Sequence, residues 1–294
     1  MSILKDPYVT PSRVKGVVRY LLQARGKREK RDTLEAVLSP ASLASRGDDK
    51  EPSRNMVQAT VRECIKMGLL EEIQDKAEVT LNLKLRLEND ASLPAVLSQL
   101  LLDGSEYTEN HDFAKVLAWY LAQDFFDAPG NWQEMEQKLR EQIGSSLLEL
   151  NDARYGQFED WSCYLGFGWR NSLVGTQVLV PDPTVYLRQN LKNLFENQTH
   201  HQVSLDEFIS RLSKYCPVFE MGEFREELEQ QIGLQEPNHL STVTSIALRR
   251  LEDEGLIKLE RLSDTSIWVL SDGSKDPRIS HITWLGNETS GEQL

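Results

Sequence analysis

The sequence predicts a mainly α-helical protein with small β-hairpins, in which two winged helix-turn-helix units flank a helical central domain. Three observations lead there. Apolar residues recur at helical spacing through residues 12–65, the same order of helices and short alternating segments returns near the C-terminus, and the stretch between is helical by pattern and rich in tryptophan. The expected boundaries are 1–90 for an N-terminal winged helix, 91–202 for the central domain, 203–274 for a C-terminal winged helix and 275–294 for a polar, frayed tail.

In the first unit, Val14, Val17, Val18, Leu21 and Leu22 share one face of a helix opened by Thr10, Pro11 and Ser12. Asp32 or Thr33 can cap a short second helix carrying Leu34, Val37 and Leu38, and Pro40 ends it. A polar stretch from Ala44 to Pro52 follows. Ser53 then opens a third helix that buries Val57, Val61, Cys64 and Ile65 and stops at Gly68, because glycine tolerates the left-handed backbone needed just past a helix end. Leu69–Ile73 and Val79–Leu87 read as two strands around a turn of Asp75, Lys76 and Ala77.

The second unit repeats the order. Ser204 caps a helix with Leu205, Phe208, Ile209 and Leu212; another runs through Phe224, Leu228 and Ile232 to Gly233; the linker Leu234 to Leu240 leads to a third, opened by Ser241 or Thr242, with Val243, Ala247, Leu248 and Leu251 inward. Gly255 ends it, and Leu256–Leu259 and Ile267–Leu270 read as strands around Ser263, Asp264 and Thr265. Aligning Gly68 with Gly255 also aligns Val61 with Leu248, Arg62 with Arg249 and Leu70 with Ile257. In the central block, Asp112–Phe126, Trp132–Ile143 and Asp182–Glu196 are helix candidates. Trp119, Trp132, Trp161 and Trp169 read first as core packing. The segment Phe158–Gly175, with Trp161 and Trp169, is also a candidate lining for a partner-binding groove.

Charge divides the chain. The net charge of -13 opposes non-specific attraction to nucleic acid or an anionic membrane, yet residues 1–70 hold 14 basic and 8 acidic side chains, a net of +6. Arg25, Lys27, Arg28, Lys30 and Arg31 form the densest basic cluster, for which a solvated loop is the competing reading. On the third helix, Arg54, Asn55, Gln58 and Arg62 would face outward, with Lys76 and Lys84 extending a duplex DNA contact from the wing. Residues 204–274 hold 7 basic and 14 acidic side chains, so Thr242, Ser245 and Arg249 on the equivalent helix are candidates for contact with a protein instead. No run approaches the roughly 18 apolar residues of a membrane span, no signal-peptide pattern opens the chain, and three scattered cysteines suit reduced thiols, which together predict a cytoplasmic protein without a membrane partner.

Catalysis finds no support in pattern. His111, His200, His201, His239 and His281 stand in no motif with Ser or Cys, no Gly-x-Ser-x-Gly elbow or Cys-x-x-Cys pair occurs, and the glycines of Phe158–Gly175 lack the Lys-Ser/Thr of a phosphate loop. The expectation is a protein that is not an enzyme and uses no cofactor or metal.

The segment STVTSIALRRLEDEGLIKLERLSDTSIWVL (Ser241 to Leu270) resembles the recognition helix and wing of winged-helix transcription regulators. The opening MSIL, the early winged helix and the Trp-rich FEDWSCYLGFGW resemble the DpdG family, encoded in bacterial clusters that insert 7-deazaguanine derivatives into DNA and restrict unmodified DNA. That resemblance implies a non-catalytic accessory role in a defence system against phage or plasmid DNA, and supplies no catalytic residues. Three readings follow: a DNA-binding accessory or regulatory protein; a protein-interaction subunit whose winged helices grip a larger ATPase or helicase without touching DNA; and an enzyme with an unfamiliar site around Trp161 to Arg170. A homodimer is compatible with each.

Overall fold

Gly68 and Gly255 both take a left-handed backbone, with φ of 75° and 72°, and both end a helix with the same pair of bonds. Gly68 N donates to Ile65 O at 3.0 Å and Leu69 N to Cys64 O at 2.9 Å; Gly255 N donates to Glu252 O at 2.8 Å and Leu256 N to Leu251 O at 3.0 Å. A computed structural model describes residues 3–40, 42, 54–73, 75–102, 111–144, 150–172, 175, 177–233, 236–262, 266–275 and 277–286. The polar stretch 44–52, the Ser53 cap, the start of the 234–240 linker and the turn 263–265 lie outside them.

The chain divides into two compact units, Met1–Phe113 with Asp152–Leu165, and Ala114–Asn151 with Gly166–Leu294. The stretch 91–202 is therefore shared between them. The described helices are α1 (Pro11–Gln23), α2 (Arg31–Leu38), α3 (Asn55–Lys66), α4 (Leu93–Leu102), α5 (Asp112–Leu121), α6 (Trp132–Ile143), α7 (Asp152–Leu165), α8 (Thr184–Leu194), α9 (Leu205–Tyr215), α10 (Glu223–Ile232) and α11 (Thr242–Asp253). The strands are β1 (Arg28–Lys30), β2 (Leu70–Ile73), β3 (Glu78–Leu81), β4 (Gly168–Asn171), β5 (Val178–Pro181), β6 (Gln202–Ser204), β7 (Ile257–Glu260), β8 (Trp268–Val269), β9 (Arg278–Ile279) and β10 (His281–Trp284). Helices dominate, and the sheets are small and antiparallel.

One arrangement occurs in each unit. In the first, α1 packs on α3, and β1, β3 and β2 form a sheet in that order. In the second, α8 packs on α11, and β6, β10 and β7 take the same order. Register matches as well: Arg28 faces Thr80 and Leu70 faces Leu81 in one sheet, and Gln202 faces Thr283 and Ile257 faces Trp284 in the other. Even the turn from first strand to second helix is shared, because Arg31 N donates to Ala77 O at 3.0 Å and Leu205 N to Ser280 O at 2.8 Å.

This repeat corrects the expected elements. The partner of β7 is β10, inside the segment read as a polar tail, whereas Trp268–Val269 pairs with Arg278–Ile279. The physical reason is burial: Ile282 and Trp284 alternate inward and are buried, and the Trp284 ring lies 6.1 Å from that of Phe195. The helix equivalent to α1 is α8, which the pattern placed in the central block, so α9 corresponds to α2, and α10 stands between it and α11. The strands β1 and β6 have no counterpart among the elements the sequence predicts.

The first unit buries Val14, Val17, Val18 and Leu21 of α1 with Val57, Val61 and Cys64 of α3 and Leu70, Val79 and Leu81 of the sheet. Helix α7 belongs to this unit: the Trp161 indole donates to Val9 O at 3.1 Å and the Gln157 amide to Pro7 O at 3.1 Å. In the second unit, Phe167 stacks on Tyr186 at 4.3 Å and lies 5.9 Å from Phe219. Trp119 donates to Gln142 Oε1 at 2.7 Å and Tyr120 to Leu179 O at 3.0 Å, so both aromatic polar tips are satisfied inside the core.

Candidate nucleic-acid interface

Helix α3 forms because Val57, Val61 and Cys64 sit at helical spacing and bury against α1, leaving Asn55, Gln58 and Arg62 on the outer face, all exposed, with Arg54 half-buried at its start. The Arg54 side chain makes no capping bond, and no acidic residue occupies the first turn. Backbone N–H groups at a helix start attract anions, and here a cation stands beside them.

Gln58 is tied down. Its amide donates to Glu35 Oε2 at 2.9 Å, and the other carboxylate oxygen accepts from Arg31 Nε at 3.2 Å. Arg31 Nη1 also meets Glu72 at 3.2 Å. Glu35 is buried, so this network joins α2, α3 and β2 and commits part of the hydrogen-bonding capacity of two expected DNA contacts to the fold.

The remaining expected cations fall into two groups. Lys30 ends β1 beside Ala77, and Lys76 stands in the β2–β3 turn, where Asp75 and Lys76 both have positive φ. With Arg31 they lie at the hairpin tip. At the opposite end of the sheet, Lys27 donates from its ammonium to Leu87 O at 3.3 Å, and Thr80 donates to Lys27 O at 3.2 Å. Lys84 follows β3 at that end, two residues beyond Asn82, whose amide donates to Gly68 O at 2.8 Å. Arg25 precedes Lys27, and Arg28 lies on the outer face of the sheet opposite Thr80. Arg25, Arg28, Lys30, Lys76 and Lys84 are all exposed. Carboxylates accompany them, with Asp75 in the turn and Glu71 and Glu78 on the strands.

The equivalent helix of the second unit is closed where α3 is open. Ser241 caps α11 by accepting from Thr244 N, and its own hydroxyl donates to Glu220 Oε1 at 2.6 Å. Thr242 Oγ1 accepts from Phe125 N at 2.8 Å, and Ser245 Oγ, fully buried, accepts from Ser271 N at 2.9 Å. Arg249, the counterpart of Arg62, pairs with Asp272 at 2.7 Å and with Glu252 at 2.9 Å. Burial alone would raise the Asp272 carboxyl, but the bonds from Arg249 and Ser274 outweigh it and hold it below the usual range. Ser245 and Trp161 are therefore interior groups that offer no surface to a partner. Trp169 is 41% exposed and remains on the surface. The sequence marked none of this closure, because the covering residues Glu220, Phe125 and Asp272 are distant along the chain.

Among the described residues no group of three His, Cys, Asp or Glu side chains could hold a metal ion, and no described helix is long and apolar enough to cross a membrane.

Two copies of one helix-and-sheet arrangement, with a cationic helix open in the first and a covered one in the second, define the class: a mainly helical protein with small antiparallel sheets. The chain matches the family model described as DpdG-like over residues 1–265 and belongs to that family. Membership associates it with a DNA-modification system. No curated protein and no solved structure matches the chain.

Proposed function

We propose that both repeats are winged helix-turn-helix modules and that the chain is a non-catalytic DNA-binding accessory or regulatory protein of a bacterial DNA-modification and anti-phage defence system. The first repeat holds duplex DNA, and the acidic second unit engages protein partners. The observation that carries this reading is the contrast between α3 and α11: the same helix face bears exposed Asn55 and Arg62 in one unit and is capped, ion-paired and covered in the other. A recognition helix needs its first turns free to enter the major groove. Arg54, Arg62, Lys30 and Lys76 supply about four phosphate contacts, which would give a slope near -3.6 in log affinity against log salt. Fluorescence anisotropy of a labelled duplex across a salt series tests this. A chain that leaves the duplex unbound at low salt is not a DNA-binding protein of this kind.

A second reading has its own support. Arg31 and Gln58 are engaged by Glu35 and Glu72, and Asp75 and Glu78 dilute the positive charge of the hairpin tip, which suits a module that grips a protein, such as a larger ATPase or helicase, without touching DNA. Co-purification with such a component, together with duplex affinity below detection, would select it.

A further inference from the structure

Phe126 is a large apolar side chain left 77% exposed, on a loop that is anything but slack. Phe125 N is held by Thr242 Oγ1 at 2.8 Å, Phe126 N donates to Asp124 Oδ1 at 2.9 Å, and Asp127 N donates to Asp124 O at 3.1 Å. Lys138 grips the far side, donating to both Asp127 O and Asp127 Oδ2 at 2.6 Å. Gly130 closes the loop, with its N–H on Glu134 and its carbonyl accepting from Leu179 N at 2.9 Å. A side chain there would strike Val178 at 2.9 Å, so glycine permits the close approach. The Phe125 ring meets Phe126 edge-on at 5.3 Å and carries Arg250 over its face at 5.7 Å.

The fold therefore presents one aromatic ring on a prepaid, ordered loop. Apart from its edge contact with Phe125, the ring buries little against the fold, and an ordered aromatic is what an interface hot spot requires. Beside the ring lies a groove of about 390 Å³ lined by Pro129, Glu134, Gln137 and Glu141. Asp124, Glu134 and Glu141 leave the surroundings negative, since Lys138 is already neutralised by Asp127. That charge repels a phosphate backbone, which removes base stacking as the ring's use.

We infer that Phe126 is the anchor of a protein-docking surface, seating in an apolar socket rimmed by Lys or Arg on another protein of the same DNA-modification system. The inference rests on the reading of the acidic second unit as the partner-binding part of the chain, and names the place and chemistry of that contact.

The test titrates the full-length chain, fluorescently labelled, with each purified protein of that system in turn, alongside the duplex. One protein should bind; Phe126→Ala should weaken it by about thirtyfold or more, and Glu141→Lys should weaken it several-fold with a reduced salt dependence. Phe126→Ala should leave the duplex affinity at its wild-type value and lower the unfolding midpoint no more than the loss of one exposed ring–ring contact does. Unchanged partner affinity in Phe126→Ala would overturn the proposal, as would binding by none of the proteins. Dissolution by Phe126→Ala of an oligomer formed by the chain alone would also overturn it, by naming a second copy as the occupant. Failure of duplex binding with partner affinity intact and sensitive to Phe126 would sink only the DNA-binding reading.

Discussion

Glu35 accepts a hydrogen bond from Gln58 at 2.9 Å while the carboxylate itself is buried, so a side chain expected from the sequence to face a duplex holds two helices together. Replacing Glu35 by alanine leaves Gln58 unpartnered and Arg31 with Glu72 alone. The expected cost is about 1–3 kcal/mol, read as a lower urea midpoint. Gln58→Ala should cost about 1 kcal/mol and change duplex affinity less than Arg54→Ala or Arg62→Ala does; a larger effect of Gln58 on affinity would mean that it leaves Glu35 on binding.

Arg62 and Arg249 occupy equivalent places and should respond oppositely. Arg62→Ala should flatten the salt slope of duplex binding by about one unit and leave stability near wild type, since its side chain is exposed. Arg249→Ala should leave duplex binding alone and cost about 1–2 kcal/mol, because it strips a partner from Asp272. The native carboxyl titrates below its ordinary value, so its contribution is present above that value and fades as pH falls through the lowered one. Acid unfolding of Arg249→Ala should therefore converge on the wild type at low pH.

Trp284 should be indispensable to the second unit. A chain ending at Ser274 loses β10, hence the partner of both β6 and β7. Trp284→Ala should cost about 3–5 kcal/mol, and the shortened chain should show exposed apolar surface by dye binding. A shortened chain as stable as the full one would refute the sheet assignment.

Cys216 is buried, and burial pushes its thiol from 9.0 up to about 12; Cys64 moves the same way for the same reason, with Glu63 adding repulsion. A raised value favours the native state below the unfolded thiol's pKa, and that preference is lost as pH rises from about 9 towards 12. Stability should fall over that range, less steeply in Cys216→Ala. Both thiols should resist a thiol reagent at pH 8 until the chain is unfolded.

What could be read beforehand follows from which forces are local. Gly68 and Gly255 announce their helix ends because only the backbone at that position matters, and the stripe Val57, Val61, Cys64 declares α3 because a helix face is a pattern within one segment. Strand β1 was invisible: it is three residues, Arg28–Lys30, with β3 as its one strand partner among the described residues, and its charges read as a loop. Strand β10 was hidden by its polar surroundings, although Ile282 and Trp284 alternate. The open face of α3 was legible in Arg54, Asn55 and Arg62, whereas the diversion of Gln58 and Arg31 to Glu35 depends on a contact between helices that no spacing encodes. The same is true of the burial of Ser245 beneath Ser271.

The two sheets close over very different spans of chain. Strands β2 and β3 are joined by a short turn, so their pairing needs little loop-closure entropy and can nucleate locally, whereas β7 must wait for β10 across the whole of residues 261–280. The first repeat should consequently acquire its hairpin early and the second late, although both reach the same register. That long connection carries structure of its own, since β8 pairs with β9 inside it and Ser271 and Asp272 bond to Ser245 and Arg249, so the late closure of the second sheet is tied to the covering of α11.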